Sequence, residues 1–177
     1  MKIAIIFASR TGNTAAVAQA IREGCAGHEI VAFGPPPVDV GEAELVFAGS
    51  WTDRGTCAPE LGEFLRALHG RSVVLFGTAG FGLSESYFAS LGDRFKGEIP
   101  ADNRVVDAWF CPGRMPPEVR ERYEAQLKER PGDKRLENML QAYDHALTHP
   151  DGADLEHARA FARTMVEKVE GSTCFVN

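Results

Sequence analysis

The sequence predicts a doubly wound α/β domain, with five parallel strands and helices on both faces of the sheet. Short apolar runs alternate with amphipathic segments along most of the chain, which is how strands joined by crossover helices read. The runs are continuous rather than alternating, as in strands covered on both faces. A length of 177 residues, 44% of them apolar, suits one domain, 1–177, with a sizeable core.

The first strand is expected within residues 1–8, where Ile3-Ala4-Ile5-Ile6-Phe7 is short, apolar and rich in β-branched residues. Small polar residues fill 9–14, and 15–24 carries Val17, Ala18 and Ile21 at helical spacing. A second strand covers 28–33 and is closed by Gly34-Pro35-Pro36-Pro37, which allows neither helix nor strand pairing. The third strand is 43–49. A helix over 60–68 places Leu61, Phe64, Leu65 and Leu68 on one face. The fourth strand is 72–76, followed by a helix over 84–95 with Ser84 as N-cap. The fifth strand is 104–110. The pattern then changes. Residues 113–150 read as a helical insertion, with polar helices near 118–128 and 133–148 split by Pro131-Gly132. A last helix over 154–169 takes Asp154 as N-cap and turns Ala158, Phe161, Ala162 and Met165 inward; the tail 171–177 is loosely held.

The formal net charge is −6, from 19 Lys+Arg and 25 Asp+Glu. That argues against nucleic acid, which favours basic patches, and suits a partner with a basic surface. Cys25, Cys57, Cys111 and Cys174 are widely spaced with no C-x-x-C pair, as expected of a reduced cytoplasm. The N-terminus reads as a strand rather than a signal peptide, and no apolar run has the length of a membrane span.

In an open α/β sheet, ligands bind beyond the carboxyl ends of the strands, where strand order switches. Three segments leave such ends: 9–14, 49–56 and 77–84. In the first, Ser9, Thr11 and Thr14 offer hydroxyls, and Gly12 lets the backbone approach an anion. The helix start that follows adds free N–H groups and a positive dipole end. Such a nest holds a terminal phosphate. The segment is neither a Walker A loop nor G-x-G-x-x-G, which disfavours nucleoside triphosphates and dinucleotides. In the second, Trp51 stands among polar turn residues, where a planar ligand gives it a face to cover. In the third, Phe81 or Tyr87 is placed to cover the opposite face, and Thr78, Ala79 and Gly80 to present backbone N–H groups.

Ser9-x-Thr11-Gly12-Asn13-Thr14 after an N-terminal strand resembles the phosphate loop of the flavodoxin family. The likeness covers about residues 1–112 plus the last helix. It implies the sheet order 2-1-3-4-5 and FMN, with the phosphate held by Ser9, Thr11, Gly12, Asn13 and Thr14 and the isoalloxazine ring between the other two segments. Ser50, Trp51, Thr52, Asp53, Gly55, Thr78, Ala79, Gly80 and Phe81 then belong to the ring site, and Arg10, at the family's variable position, to the rim of the phosphate site. Gly49-Ser50-Trp51-Thr52-Asp53-Arg54-Gly55 and Phe76-Gly77-Thr78-Ala79-Gly80 also resemble a narrower branch of the family from anaerobic bacteria. Some of its members are named BilS and serve a bilirubin reductase.

Two departures from short flavodoxins bear on redox tuning. Thr52 stands where a Gly often follows the Trp and permits a peptide flip towards flavin N5; a β-branched residue resists positive φ. Residues 77–83 also lack a carboxylate, so an anionic reduced ring is less disfavoured.

Three functions compete. The favoured one is an electron carrier that receives electrons from a reductase and delivers them to a partner oxidoreductase, with FMN supplying the chemistry. The alternative is an FMN-dependent quinone or NAD(P)H oxidoreductase, for which only Asp53 and Tyr87 stand near the loops as acid–base candidates. The third is a flavin-free scaffold whose insertion binds a partner. No catalytic residue is assigned. His145 and His149, with His157 farther on, have helical metal-site spacing but no evident further ligand, so no metal is assigned. Cys57 begins a helix without a paired base or resolving thiol. The charges at 121–128 and 133–137 read as a solvated face or a docking surface.

Overall fold

The computed structural model describes residues 1–173. Its strands are β1 (Lys2–Ala8), β2 (Glu29–Gly34), β3 (Leu45–Asp53), β4 (Thr56–Cys57), β5 (Ser72–Ala79) and β6 (Arg104–Pro112). Its helices are α1 (Asn13–Gly24), α2 (Pro59–Arg66), α3 (Glu85–Lys96), α4 (Pro117–Glu129), α5 (Lys134–Ala146) and α6 (Gly152–Thr173). The main sheet runs β2-β1-β3-β5-β6, all parallel. With the two-residue β4 set aside, this is the expected 2-1-3-4-5 order.

Pleating explains why the strands are apolar throughout. Ile3, Ile5 and Phe7 enter one core with Leu45, Phe47, Val74 and Phe76. Ala4, Ile6 and Ala8 enter the other with Val46, Ala48, Val73 and Leu75. Successive side chains point to opposite faces, and both faces are covered, so neither set can be polar. The first core is closed by Val17, Ala18 and Ile21 of α1 and by Ala158, Phe161, Ala162 and Met165 of α6, as the helical spacing predicts. The second is closed by Leu61 and Leu65 of α2 and by Leu91 and Phe95 of α3. Ser84 caps α3, its Oγ accepting from the Tyr87 backbone N–H at 3.2 Å.

Several boundaries differ from expectation. β3 continues through Ser50, Trp51, Thr52 and Asp53, because β4 folds back on it and pairs Thr52 with Cys57 and Asp53 with Thr56. The loop shrinks to the tip Arg54-Gly55, both at positive φ (49° and 85°), as a tight two-residue hairpin requires. β5 continues through Gly77, Thr78 and Ala79, which pair with Phe110, Cys111 and Pro112, because β6 also runs on to Pro112. Asp154 is not the N-cap of α6. Asp151 is: its Oδ1 accepts from the Ala153 and Asp154 N–H groups at 2.9 and 3.0 Å, while Asp154 Oδ2 accepts from the Asp151 N–H at 2.9 Å. This reciprocal pair satisfies orphan donors at both ends of the first turn. Of the expected loose tail, 171–173 continue α6, and 174–177, with Cys174, lie outside the described residues.

In the 113–150 region, α4 buries no residue fully, whereas α5 buries Leu136, Ala142, Tyr143 and Ala146. Arg120 joins the two helices: its Nε donates to Glu124 at 2.7 Å, its guanidinium also bonds Asp144, and it lies 5.6 Å from the Tyr143 ring centre. Among the described residues, no helix is long and apolar enough to cross a membrane.

Candidate functional site

β1 leaves its carboxyl end between β2 and β3, where strand order reverses. The chain then turns through Ser9–Gly12 into α1. Gly12 caps α1 at φ +89°, a left-handed conformation that costs a side chain but not glycine. The first turn of α1 carries no acidic residue, so nothing offsets the positive dipole end there.

A cleft of about 510 Å³ opens at this edge. Of the residues expected there, Arg10, Thr11, Asn13, Trp51, Thr52, Asp53, Gly55, Thr78, Gly80 and Phe81 line it. Ser9, Gly12, Thr14, Ser50 and Ala79 do not. The hydroxyls of the second group have partners within the fold. Ser9 Oγ accepts from the Ala15 N–H at 3.1 Å. Ser50 Oγ donates to the Trp51 carbonyl at 2.6 Å and accepts from the Ala58 N–H at 2.9 Å. Thr14 Oγ1 and Thr78 Oγ1 share a buried hydrogen bond of 3.0 Å, which ties the α1 start to the end of β5. Ala79 is buried, and its carbonyl accepts from the Gly113 N–H at 3.2 Å.

Aromatic side chains form the walls. Trp51 is partly exposed, with the Arg10 guanidinium carbon 5.4 Å from its ring centre. Phe81 and Tyr87 both line the cleft. Burial pushes the Tyr87 phenol up, with the Arg94 guanidinium opposing it, so that phenol stays protonated at neutral pH. Thr52 is held twice, by its ladder pairing with Cys57 and by its Oγ1 donating to the Thr78 carbonyl at 3.0 Å.

The far wall comes from the 113–150 region, whose charges at 121–128 and 133–137 read in the sequence as a solvated face or a docking surface. Arg114, Met115, Val119, Arg122 and Tyr123 all line the cleft. Tyr123 meets Phe81 edge to face at 5.6 Å, and the Asn13 amide donates to the Arg114 carbonyl at 2.8 Å. Gly80 shows how close the approach is: a Cβ there would lie 2.3 Å from Met115 Cγ and Sδ. One sequence signal pointed here. Residue 113 directly follows the carboxyl end of the last strand, the edge where ligands gather.

A second hollow of about 510 Å³, between residues 36–40 and α2, has no hydroxyl or cationic group in its lining. Among the described residues, His149, but neither His145 nor His157, belongs with Asp151 and Asp154 to a group whose ligand atoms lie within 4.8 Å of one another. His145 and His149 stack at 4.9 Å, and His149 Nδ1 bonds Asp154 Oδ2 at 2.5 Å. The cluster of His149, Asp151 and Asp154 is the cap of α6.

The flavodoxin domain family model matches residues 4–163. The chain belongs to the flavodoxin family. That flavodoxin match spans both the sheet and the 113–150 region, and FMN is the cofactor that goes with the family. Two relatives are similar over nearly their whole lengths. The flavodoxin-like domain-containing protein BilS of Clostridium symbiosum (strain WAL-14163) is 34% identical, with 96% of each chain covered. The protein of the same description from Clostridioides difficile (strain CD3) is 29% identical, covering 95% of this chain and 98% of its own. Among solved structures, oxidised Flavodoxin 2 from Bacillus cereus superposes with a TM-score of 0.61 at 19% identity, over 95% of this flavodoxin and 99% of that chain. A flavodoxin from the domain Archaea gives 0.56 at 17%, over 96% and 99%. These two likenesses concern the fold.

Proposed function

We propose that this flavodoxin holds FMN in the cleft at the β1/β3 switch point and works as an electron carrier between a reductase and an acceptor oxidoreductase. The observation that carries the reading is convergence: an acid-free helix N-terminus, a partly exposed Trp51 and the Phe81 segment open into one cleft. The donor set fits FMN. Backbone N–H groups of 10–14, the Thr11 hydroxyl and the Arg10 guanidinium suit a phosphate dianion, and Trp51 with Phe81 or Tyr87 suits a planar ring.

FMN, when bound, supplies the one- and two-electron chemistry. The chain's own residues position and shield it. Gly12 shapes the turn into α1, whose start and Thr11 would hold the phosphate. Trp51 would exclude water from one face of the ring. Phe81, braced by Tyr123, would limit access to the other. Ser9, Ser50 and Thr14 serve the site indirectly, by fixing the backbone that presents the donors. The acceptor we propose is a bilirubin-reductase-type enzyme, the class that the narrower sequence resemblance implies. The protein is expected to work in the cytoplasm.

Parallel titrations with FMN and riboflavin test the reading. Charge-assisted hydrogen bonds contribute about 1.5–3 kcal/mol each, so FMN should bind at least tenfold more tightly. Thr11→Ala should weaken FMN and leave riboflavin nearly unchanged. Equal affinity for the two flavins in the parent protein would remove the phosphate assignment.

A further inference from the structure

The net charge of −6 suggests a partner with a basic surface, but the charge is unevenly spread. The cleft is lined by four arginines, Arg10, Arg54, Arg114 and Arg122, against one carboxylate, Asp53. All four are exposed. Among the described residues, none of the four lies within 4 Å of a carboxylate, a property they share with Arg22, Arg71, Arg94, Arg104 and Arg135, while Arg66, Arg120, Arg130, Arg159 and Arg163 are paired. The acidic excess therefore sits elsewhere, and the rim of the cleft is locally positive.

The four divide by position. Arg10 lies in the loop before α1, with its guanidinium carbon 5.4 Å from the Trp51 ring centre, and the Arg114 carbonyl receives the Asn13 amide, so the backbones of these two stand beside the α1 start. Arg54 and Arg122 stand at the other end. Arg54 occupies the tip of the β3–β4 hairpin, just beyond Trp51. Arg122 stacks on Tyr123, 5.0 Å from its ring centre, and Tyr123 in turn meets Phe81. Arg54 is thus carried by one of the two segments that would bracket the isoalloxazine ring, and Arg122 by α4, whose Tyr123 packs on Phe81 of the other.

We propose that Arg54 and Arg122 form a docking site at the ring end of the cleft, and that the electron partner meets it with an acidic protein surface. The inference rests on the carrier reading above. Charge complementarity names the partner chemistry: guanidinium forks without a counter-ion take carboxylates in bidentate fashion. The whole-molecule charge opposes the approach at long range. At physiological ionic strength the screening length is about 8 Å, so the groups at the contact decide the encounter, and steering follows the sign of the rim.

The test uses the FMN-loaded full chain, reduced and mixed anaerobically with one of two probes, native cytochrome c (basic) or succinylated cytochrome c (acidic). Each ferric haem takes one electron, so one two-electron-reduced flavin serves two haems. The readout is the ratio of the succinylated to the native second-order rate at about 0.1 M salt, where the screening length is about 10 Å. Comparing this ratio between parent and variant cancels the different driving forces of the two probes. The Arg54→Glu/Arg122→Glu double variant should lower the ratio by about threefold or more, and Arg54→Lys/Arg122→Lys should hold it near the parent value. A change of less than about threefold on charge reversal overturns the docking site, as does an equal fall in the lysine variant. Flavin absorbance is recorded first. A parent that holds no FMN overturns the carrier reading itself, a result separable from an unchanged rate ratio in loaded protein.

Discussion

Replacing Thr14 by Val removes one partner of the buried Thr14–Thr78 hydrogen bond, 3.0 Å long, while keeping side-chain volume. Both residues are almost inaccessible, at 0% and 3% exposure, so water cannot replace the lost partner. Leaving one buried hydroxyl unpaired costs about 1–3 kcal/mol. For a chain of this size each kcal/mol moves Tm by about 2–4 °C, so Thr14→Val or Thr78→Val alone should lower Tm by about 2–12 °C. The double substitution removes both hydroxyls and leaves neither unpaired, so it should be nearly as stable as the parent. A double-mutant cycle by urea unfolding reads the coupling directly: two single costs of about 1–3 kcal/mol each against a double cost near zero give a coupling of about 2–6 kcal/mol. Strictly additive single effects, within about 0.5 kcal/mol, would refute the idea that this pair stabilises the junction of α1 with β5. The same variants separate two roles for Thr14. If its hydroxyl acts only through Thr78, the double variant retains FMN affinity; if it turns to the phosphate, FMN weakens and riboflavin does not.

Trp51 fluorescence should be quenched as FMN binds and return on its removal, while Trp109, packed against Phe161 on the opposite face of the sheet, should change less. Trp51→Ala should cost about 1–3 kcal/mol of flavin affinity, and undiminished binding would return Trp51 to a purely structural role. Redox titration should give a second-electron couple less negative than in short acidic flavodoxins, since Arg54 and Arg122 lie nearer the ring site than the acidic excess. Little long-wavelength absorbance of one-electron-reduced flavin should accumulate, because the ladder and the Thr78 carbonyl hold Thr52. Thr52→Gly should raise it, and a large signal in the parent protein would contradict the argument. Burial pushes the Cys25 thiol from its ordinary 9.0 up to about 12. The folded thiol therefore stays protonated while the unfolded one ionises, and stability falls as pH rises from 9 towards 12, by about 1.4 kcal/mol per unit for this group. Cys25→Ala should flatten that part of the pH profile in urea midpoints, and an unchanged slope would count against it.

The sequence alone determined the sheet. Ile3–Phe7, 45–48 and 73–76 are apolar at every position because both faces are covered, and that pattern survives without knowledge of any partner. The helix faces of α1, α2 and α6 followed for the same reason, since 3.6-residue spacing is a local property. So did the position of 9–12 between a strand and a helix start. Tertiary structure decided everything that depends on a distant partner. Whether Ser50–Asp53 and Gly77–Ala79 are loop or strand turned on β4 folding back and on the length of β6. Which hydroxyls face the cleft turned on contacts across the sheet: Thr14 with Thr78 is 64 positions away in sequence, and nothing near Thr14 announces that bond. The 113–150 region is the largest such case. Its helices are polar on most sides and read as solvated, yet Tyr123 and Arg122 reach the site because the chain past β6 folds back over Gly80 and Phe81. A periodicity shows which face of a helix is apolar, but only the packed chain shows which loop that helix covers.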